Sequence, residues 1–340
     1  MISQQAMYPK IELHVHLEGT VQPQTLLEIA QRNDVPLPAE TADELRGLFR
    51  FTDLPHFIDT WFLVTAALRT ADDFRRITVD YAEEAARHGA VYVEGIFAPT
   101  VPARNGVDLD AMFDGYCDGV AEARERLGIE IRLTPDLNRT SSPEELEGIV
   151  RRAIACHERG VVGVGLGGVE DQAPPEEFAD AFRLAREGGL GSVPHAGEVI
   201  GPESIWGALD ALNADRIRHG IRAVDDSALM RELADRGTVL DVCPTANLRV
   251  GAVRSLAEHP LPELVAAGIR CSLSTDDPAM FGTDLTTEYT EAAARGLNPR
   301  WFYEVGVAGA LCDEATRAAL TAIGEDFDWS TVETGGLLTG

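Results

Sequence analysis

Short apolar, β-branched runs bounded by turn residues recur along the chain at 11–18, 91–99, 129–135, 161–168, 191–198, 216–221, 238–244 and 270–278, and each reads as a buried strand. Between them the apolar positions switch to helical spacing. Ser142-Pro143-Glu144-Glu145 has the form of a capping box with proline at the first helical position, and Leu146, Ile149, Val150, Ala153 and Ile154 follow on one face. A second clear helix starts at Pro202, with Ile205, Ala208, Leu209 and Leu212 on its apolar side. From residue 91 onward the strand starts follow one another at 22 to 38 residues, the length that a strand, a helix and two short loops require. Alternating strands and crossover helices force a parallel sheet, and eight units are the number that closes a barrel. The predicted fold is therefore α/β, a (β/α)8 barrel formed by residues 1–340 as one domain. A doubly wound open sheet is the alternative.

One interval breaks the rhythm, because the first two strands start at 11 and 91. A helix of ordinary length is expected from Thr25 to Asn33, followed by Pro36, Pro38 and further helical segments including LPHFIDTWFLVTAAL. Residues 36–88 thus read as a helical insertion after strand 1, at the mouth where barrel enzymes build their sites. Its apolar residues Phe57, Ile58, Trp61, Phe62 and Val64 either form a lid over that mouth or pack the insertion onto the barrel.

Composition narrows the function. In 340 residues, 29 Lys+Arg stand against 56 Asp+Glu, a formal net charge of −27, which argues against nucleic acid or anionic membrane as a partner. No apolar run approaches the roughly 18 residues of a membrane span, and the opening MISQQAMYPK lacks the pattern of a secretory signal, so a cytoplasmic protein is expected. The five cysteines are scattered without a CxxC pair, which suits reduced thiols. The only lysine is Lys10.

The candidate chemistry gathers at strand ends. His14 and His16 alternate with Leu13, Val15 and Leu17, so both imidazoles share the face turned to the barrel interior. Taken alone the pair reads equally as structural histidines. The strand at 191–198 ends in His195-Ala196-Gly197-Glu198, the next carries His219-Gly220, and the last ends in Asp276-Asp277-Pro278. In a barrel these ends meet at one mouth. Three imidazoles and a carboxylate make a coordination set for a catalytic metal, which lowers the pKa of a water toward about 7. Glu198 could otherwise cap the helix beginning near Pro202, and Asp277 could be a turn residue before Pro278. The other histidines, His56, His88, His157 and His259, are expected on helices or loops in surface or capping roles.

PKIELHVHLEGT, HAGE, RIRHGI, CPTAN and SLSTDDP, in this order and spacing, resemble the zinc-dependent adenosine deaminase family of the amidohydrolase superfamily, from Pro9 to about Tyr289. The resemblance implies hydrolytic deamination of a 6-aminopurine nucleoside or base, with one zinc ion per chain. It implies that His14, His16, His195 and Asp276 are metal ligands and that Glu198 handles the proton at purine N1. His219 would orient and help deprotonate the attacking water, with Asp276 counted among the catalytic residues. Asp277 would meet N7 and the Gly168 backbone N–H would meet N3. Glu18 would reach toward the ribose 5′ hydroxyl, and Ile58 and Trp61 would contact substrate. The His/Cys/Cys set and PCxxC signature of cytidine-deaminase-type sites are absent. With Lys10 the sole lysine, and glycines ending the strand at 161–168, a lysine-bridged two-metal hydrolase is disfavoured.

The departures bear on specificity. Gly165-Leu166-Gly167-Gly168-Val169-Glu170 replaces the family's usual DLAGDE, Glu18 stands where adenosine-specific members commonly have Asp, and Arg218 replaces a glycine. Ala246 stands for a serine, and Ser274 for an asparagine. Adenosine or deoxyadenosine, free adenine, and a 5′-modified nucleoside such as aminodeoxyfutalosine all remain open. The last bears a carboxylate and predicts an arginine at the mouth, with Arg69, Arg218 and Arg249 as candidates. Outside this class stand a metal-dependent amide or ester hydrolase and a non-catalytic purine-binding protein.

Overall fold

The structure of the protein, a computed structural model, describes residues 8–51 and 54–332, the side chains of residues 54 and 55 excepted. Strands β1 (Lys10–His16), β2 (Ala90–Phe97), β3 (Glu130–Asn138), β4 (Gly163–Gly167) and β5 (Gly191–Ser192) form one parallel sheet in sequence order. Strands β6 (His195–Ala196), β7 (Arg216–His219), β8 (Val239–Val242) and β9 (Arg270–Leu273) form a second. Two junctions turn these sheets into a ring. Between β5 and β6 the ladder continues through Val193 N–H to Val164 O (3.0 Å) and Arg218 N–H to Pro194 O (2.9 Å), so residues 191–196 act as one strand interrupted at Pro194, which has no N–H to donate. On the other side β1 meets the chain just beyond β9 through His16 N–H to Asp276 O (2.7 Å) and Asp276 N–H to His14 O (3.1 Å). The eight strands expected from the apolar runs are all present, and the order is that of a (β/α)8 fold.

Helices α1 (Pro23–Arg32), α2 (Ala42–Leu48), α3 (Leu54–Ala67) and α4 (Ala71–Arg87) lie between β1 and β2. Within the stretch read as inserted, α4 packs on α6 (Leu109–Leu127), which follows β2 together with the short α5 (Thr100–Arg104). It thereby takes the crossover position, while α3 lies over the mouth, where Phe57 stacks on Phe281 with ring centroids 4.9 Å apart. After β3 comes α7 (Pro143–Ala155), opened by the Ser142–Glu145 capping box that its sequence predicts. Helix α8 (Ala179–Glu187) follows β4, and α9 (Pro202–Ala211) follows β6.

Apolar residues on the outward faces of the strands, such as Leu13, Val93, Ile131, Ile217 and Leu240, are buried against these helices. The inward faces are charged. Arg216 is buried between Glu94 (2.6 Å) and Asp241 (2.9 Å), and two residues further along β7, Arg218 pairs with Asp136 and with the Thr134 hydroxyl (2.6 Å). Breaking one partner of such a buried group leaves an uncompensated charge, which costs about 3–5 kcal/mol. This charged interior forms the floor beneath the strand ends.

Candidate active site

The strand ends bring His14, His16, His195 and Asp276 together. His14 Nε2 and His16 Nε2 stand 3.2 and 3.4 Å from Asp276 Oδ1, and His195 Nε2 stands 3.2 Å from the Nε2 atoms of both His14 and His16. One donor atom from each of the four lies within 4.8 Å of the other three. Burial pushes the His14 and His16 imidazoles down to about 4 and about 3, and His195 well below its usual range, so all three offer lone pairs near pH 7. Burial pushes Asp276 the other way, but His14 and its neighbouring imidazoles outweigh that and hold it ionised. Outer nitrogens are fixed by carbonyls, His14 Nδ1 at Asp241 O (3.2 Å) and His195 Nδ1 at Leu166 O (3.0 Å), which leaves Nε2 free to coordinate. Neutral nitrogens converging with one carboxylate fit a divalent metal ion.

Two of these positions depend on uncommon backbone. His219 and Asp276 have φ of 62° and 66°, a left-handed conformation that non-glycine residues rarely adopt. With Arg216 and Arg218 pointing inward, alternation alone would send His219 outward with Ile217. The left-handed turn at His219 and Gly220 instead brings the imidazole over the mouth, its ring centroid 4.6 Å from that of His14. His219 Nε2 then faces Glu198 Oε1 at 3.7 Å and Asp276 Oδ2 at 3.8 Å.

Glu198 is held by a residue that reading of the sequence passed over. The Glu170 carboxylate accepts the N–H groups of Gly197, Glu198 (3.2 Å), Val199 (2.9 Å) and Ile200 (2.9 Å) together with the Ser204 hydroxyl (2.6 Å). It pins the whole loop before α9. Burial pushes the Glu198 carboxyl above its usual range, with Asp276 and Glu170 adding to the effect against His219. Burial first and Asp276 second raise Asp277 well above its own, and Asp277 Oδ1 has no partner among the described residues.

These groups line a cavity of about 480 Å³, within the roughly 300–1,000 Å³ usual for small-molecule sites. Gly168, Ile58 and Trp61 line it as well, together with Phe57 and Phe62. Asn138, Thr140, Asn105 and Arg104 complete its polar lining.

Three expectations are corrected. Glu18 does not line the cavity: β1 ends at His16, residues 17–20 turn as a 3-10 helix, and the carboxylate is carried into the wall, where it accepts Ala98 N–H (2.9 Å) and the Tyr116 hydroxyl (3.0 Å). Arg218 is buried in the barrel interior rather than at the mouth. The two departures at 165 and 218 are one feature, because a Cβ on Gly165 would lie 2.2 Å from Arg218 Nη1 and 2.0 Å from its partner Asp136. His259, expected in a surface or capping role, does accept the Leu261 N–H (3.1 Å) at the start of the helix Leu261–Ala266, but it is 4% exposed and bonded to Asn247. Of the other arginines offered for the mouth, Arg249 is exposed and does not line the cavity, and Arg69 reaches only the Asn105 carbonyl at its rim (3.1 Å). The rim arginine is Arg104, which a single sequence gives no reason to prefer.

A parallel α/β fold with imidazoles and carboxylates on its strand ends defines a hydrolase of the amidohydrolase superfamily. A family model described as adenosine deaminase matches residues 9–322, and the chain belongs to that family. It is 51% identical over 330 residues to an aminodeoxyfutalosine deaminase of Acidothermus cellulolyticus, covering 95% of this chain and 93% of the relative. Its fold is similar to the crystal structure of an adenine deaminase from Arthrobacter aurescens (TM-score 0.89, 32% identity, 94% of this chain and 98% of that one). An amidohydrolase from Burkholderia ambifaria crystallised with bound zinc is similar at TM-score 0.84 and 29% identity, covering 94% and 90%. No helix among the described residues is long and apolar enough to cross a membrane.

Proposed function

We propose that the protein hydrolytically deaminates a 6-aminopurine, with a nucleoside extended at its 5′ side and carrying a carboxylate, as in aminodeoxyfutalosine, as its substrate. The observation that carries the deaminase reading is the placement of Glu198 and His219 beside the His14, His16, His195 and Asp276 group in the cavity wall. The ion is taken as one zinc per chain. A divalent ion held by those four residues supplies the Lewis acidity that makes water nucleophilic near neutral pH.

The chain's own residues do the rest. Glu198, whose carboxyl burial pushes above its usual range, gives a proton to N1, so that addition of water at C6 does not load negative charge onto ring nitrogen. The resulting carboxylate takes one proton from the water and passes it to the exocyclic amine. The C6–N bond then breaks, ammonia leaves, and the last hydroxyl proton returns to Glu198 as the C6 carbonyl forms. Of the water's two hydrogens, one leaves in ammonia and the other restores to Glu198 the proton it gave to N1. His219 orients the water, Asp277 holds N7 and the Gly168 N–H meets N3. Ile58 and Trp61 cover the purine from α3, which supplies the lid expected of the stretch after β1, while α4 belongs to the barrel wall. A cytoplasmic location accompanies this reading, which the five free thiols suit.

What supports the extended substrate over free adenine is the polar lining around Arg104. Arg104 is the only guanidinium among its lining residues. Its Nε and one Nη2–H lie on Glu145 (2.7 Å each), the other Nη2–H on the Thr140 carbonyl (2.9 Å) and one Nη1–H on the Thr140 hydroxyl (3.1 Å), leaving one of its five N–H donors for a ligand. The test compares kcat/KM for aminodeoxyfutalosine, its neutral methyl ester, adenosine and adenine. Preference for the free acid, lowered about tenfold or more relative to the ester in Arg104→Gln, is expected, because a hydrogen bond to a charged group is worth about 1.5–3 kcal/mol. Preference for adenine would overturn the extended substrate while leaving the deaminase reading intact.

A further inference from the structure

The mechanism leaves one buried histidine unexplained. His259 lies at the end of a 3-10 turn (Leu256–Glu258), precedes Pro260 and is 4% exposed. Its two nitrogens are used on opposite sides. Nδ1 faces the backbone N–H of Leu261 at 3.1 Å, and Nε2 faces Asn247 Oδ1 at 3.2 Å. Asn247 lies on the short helix Pro244–Arg249, is fully buried, and directs its amide nitrogen to Glu198 Oε1 (3.1 Å) and to His219 Nδ1 (3.1 Å).

The direction of every hydrogen bond in this chain follows from its last member. A backbone N–H can only donate, so His259 Nδ1 must accept, and the single N–H of a neutral His259 must be on Nε2. That N–H donates to Asn247, which fixes the oxygen of the amide toward His259 and the nitrogen toward the site. Both Asn247 amide protons are then spent, one on Glu198 and one on His219 Nδ1. With Nδ1 accepting, a neutral His219 carries its proton on Nε2, the atom that faces Glu198 and Asp276. We propose that Asn247 and His259 are positioning residues that hold His219 in its Nε2–H tautomer and fix the Glu198 carboxyl beside it. On the reading of the site given above, His219 therefore enters as a hydrogen-bond donor that orients the water. It has no lone pair on the side facing the reaction, and proton transfer is left to Glu198.

The test has a readout that does not depend on turnover. In the zinc-loaded protein labelled with 15N-histidine, imidazole correlation spectra should give His219 a protonated Nε2 and a pyridine-type Nδ1, with the assignment made from a His219→Gln sample. A proton on Nδ1 would overturn the proposal. Asn247→Asp, whose carboxylate can only accept, should move the His219 proton to Nδ1; an unmoved proton would also overturn it. His259→Phe should lower kcat about 10- to 100-fold, the usual effect of removing a supporting partner, with KM changed less than about threefold and zinc content retained. His259→Gln, which keeps an N–H for Asn247, should recover about tenfold of that loss. A kcat for His259→Phe within about threefold of the parent would count against the relay. If His259→Phe does not fold, the spectrum of the unaltered protein decides alone. Inertness toward every 6-aminopurine would refute the deaminase reading, and the tautomer would still be measured.

Discussion

Replacing Glu198 with glutamine isolates the proton from the geometry. The amide has the shape of the carboxylic acid, and the loop carrying it is fixed from behind by Glu170 through the N–H groups of Gly197, Glu198, Val199 and Ile200. The carbonyl oxygen of the new side chain can still accept from Asn247, which lies 3.1 Å from the present carboxyl. The metal-ligand group, which does not include this side chain, should keep its ion. The variant loses the acid that protonates N1 and the base that carries the water's proton to the leaving amine. One general acid–base function contributes about 10²–10⁴-fold. Because both functions rest on this carboxyl, the upper part of that range is expected, a loss of about 10³–10⁴ in kcat, or about 4–5 kcal/mol of transition-state stabilisation at 1.36 kcal/mol per decade. The assay is the ultraviolet change on conversion of a 6-aminopurine to its 6-oxo product, with zinc measured by mass spectrometry and product affinity by calorimetry. Full zinc content, product binding within about threefold and the kcat loss together fit the account. A zinc-replete Glu198→Gln enzyme within about tenfold of the parent would refute the proton role.

Other perturbations separate the remaining parts. His195→Ala removes one of three converging imidazoles and should cut bound zinc well below one per chain after dialysis; unchanged stoichiometry would contradict its ligand role. Gly19→Ala would put a Cβ 2.0 Å from Asp277 Oδ1, so Asp277 must move. KM for the purine should rise and stability fall by about 1–3 kcal/mol, as overpacking usually costs, and an unchanged KM would argue against the N7 contact. Glu288, buried and accepting from the Thr283 hydroxyl (2.6 Å) and Thr245 N–H (3.3 Å), is pushed up to about 7 by burial from its ordinary 4.5. Its folded value lies above the unfolded one, so the native state binds more protons. The stability this gives is present below about pH 4.5 and is lost as pH rises toward 7, by up to about 3 kcal/mol. Denaturant titrations of Glu288→Gln should show a flatter stability profile over that window, and an identical slope would contradict the assignment.

Much of the fold was legible because burial imposes periodicity. Strands with apolar outward faces, separated by one-helix intervals, give eight repeats wherever they are counted, and the Ser142–Glu145 cap is a local signal that the structure repeats unchanged. His14, His16, His195 and Asp276 could be grouped because strand ends in such a fold share one mouth. The limits are equally physical. Strand alternation carries no information past the last ladder residue, so the place of Glu18 rested on the family resemblance alone, and the structure carries it into the wall after a 3-10 turn. For the same reason alternation alone could not place His219, whose position depends on a left-handed backbone. Glu170, Asn247, His259 and Arg104 act across 12 to 49 residues of sequence, through contacts such as Glu170 to Ser204, Asn247 to Glu198 and His259, and Arg104 to Glu145. No local pattern announces such pairs. Arg218 was visible only as an oddity, and it becomes intelligible once Gly165 is seen to leave room for its guanidinium.

The central claim is that the four-residue metal group and Glu198 together remove the amino group of a 6-aminopurine. It is tested most directly by incubating the zinc-loaded protein with adenine, adenosine and aminodeoxyfutalosine and measuring ammonia, with chelator-treated protein as the control. Stoichiometric ammonia and 6-oxopurine from at least one of them, highest for aminodeoxyfutalosine and lost on chelation, is the predicted result. Purine binding without ammonia from any of the three, in protein shown to hold its zinc, would contradict it.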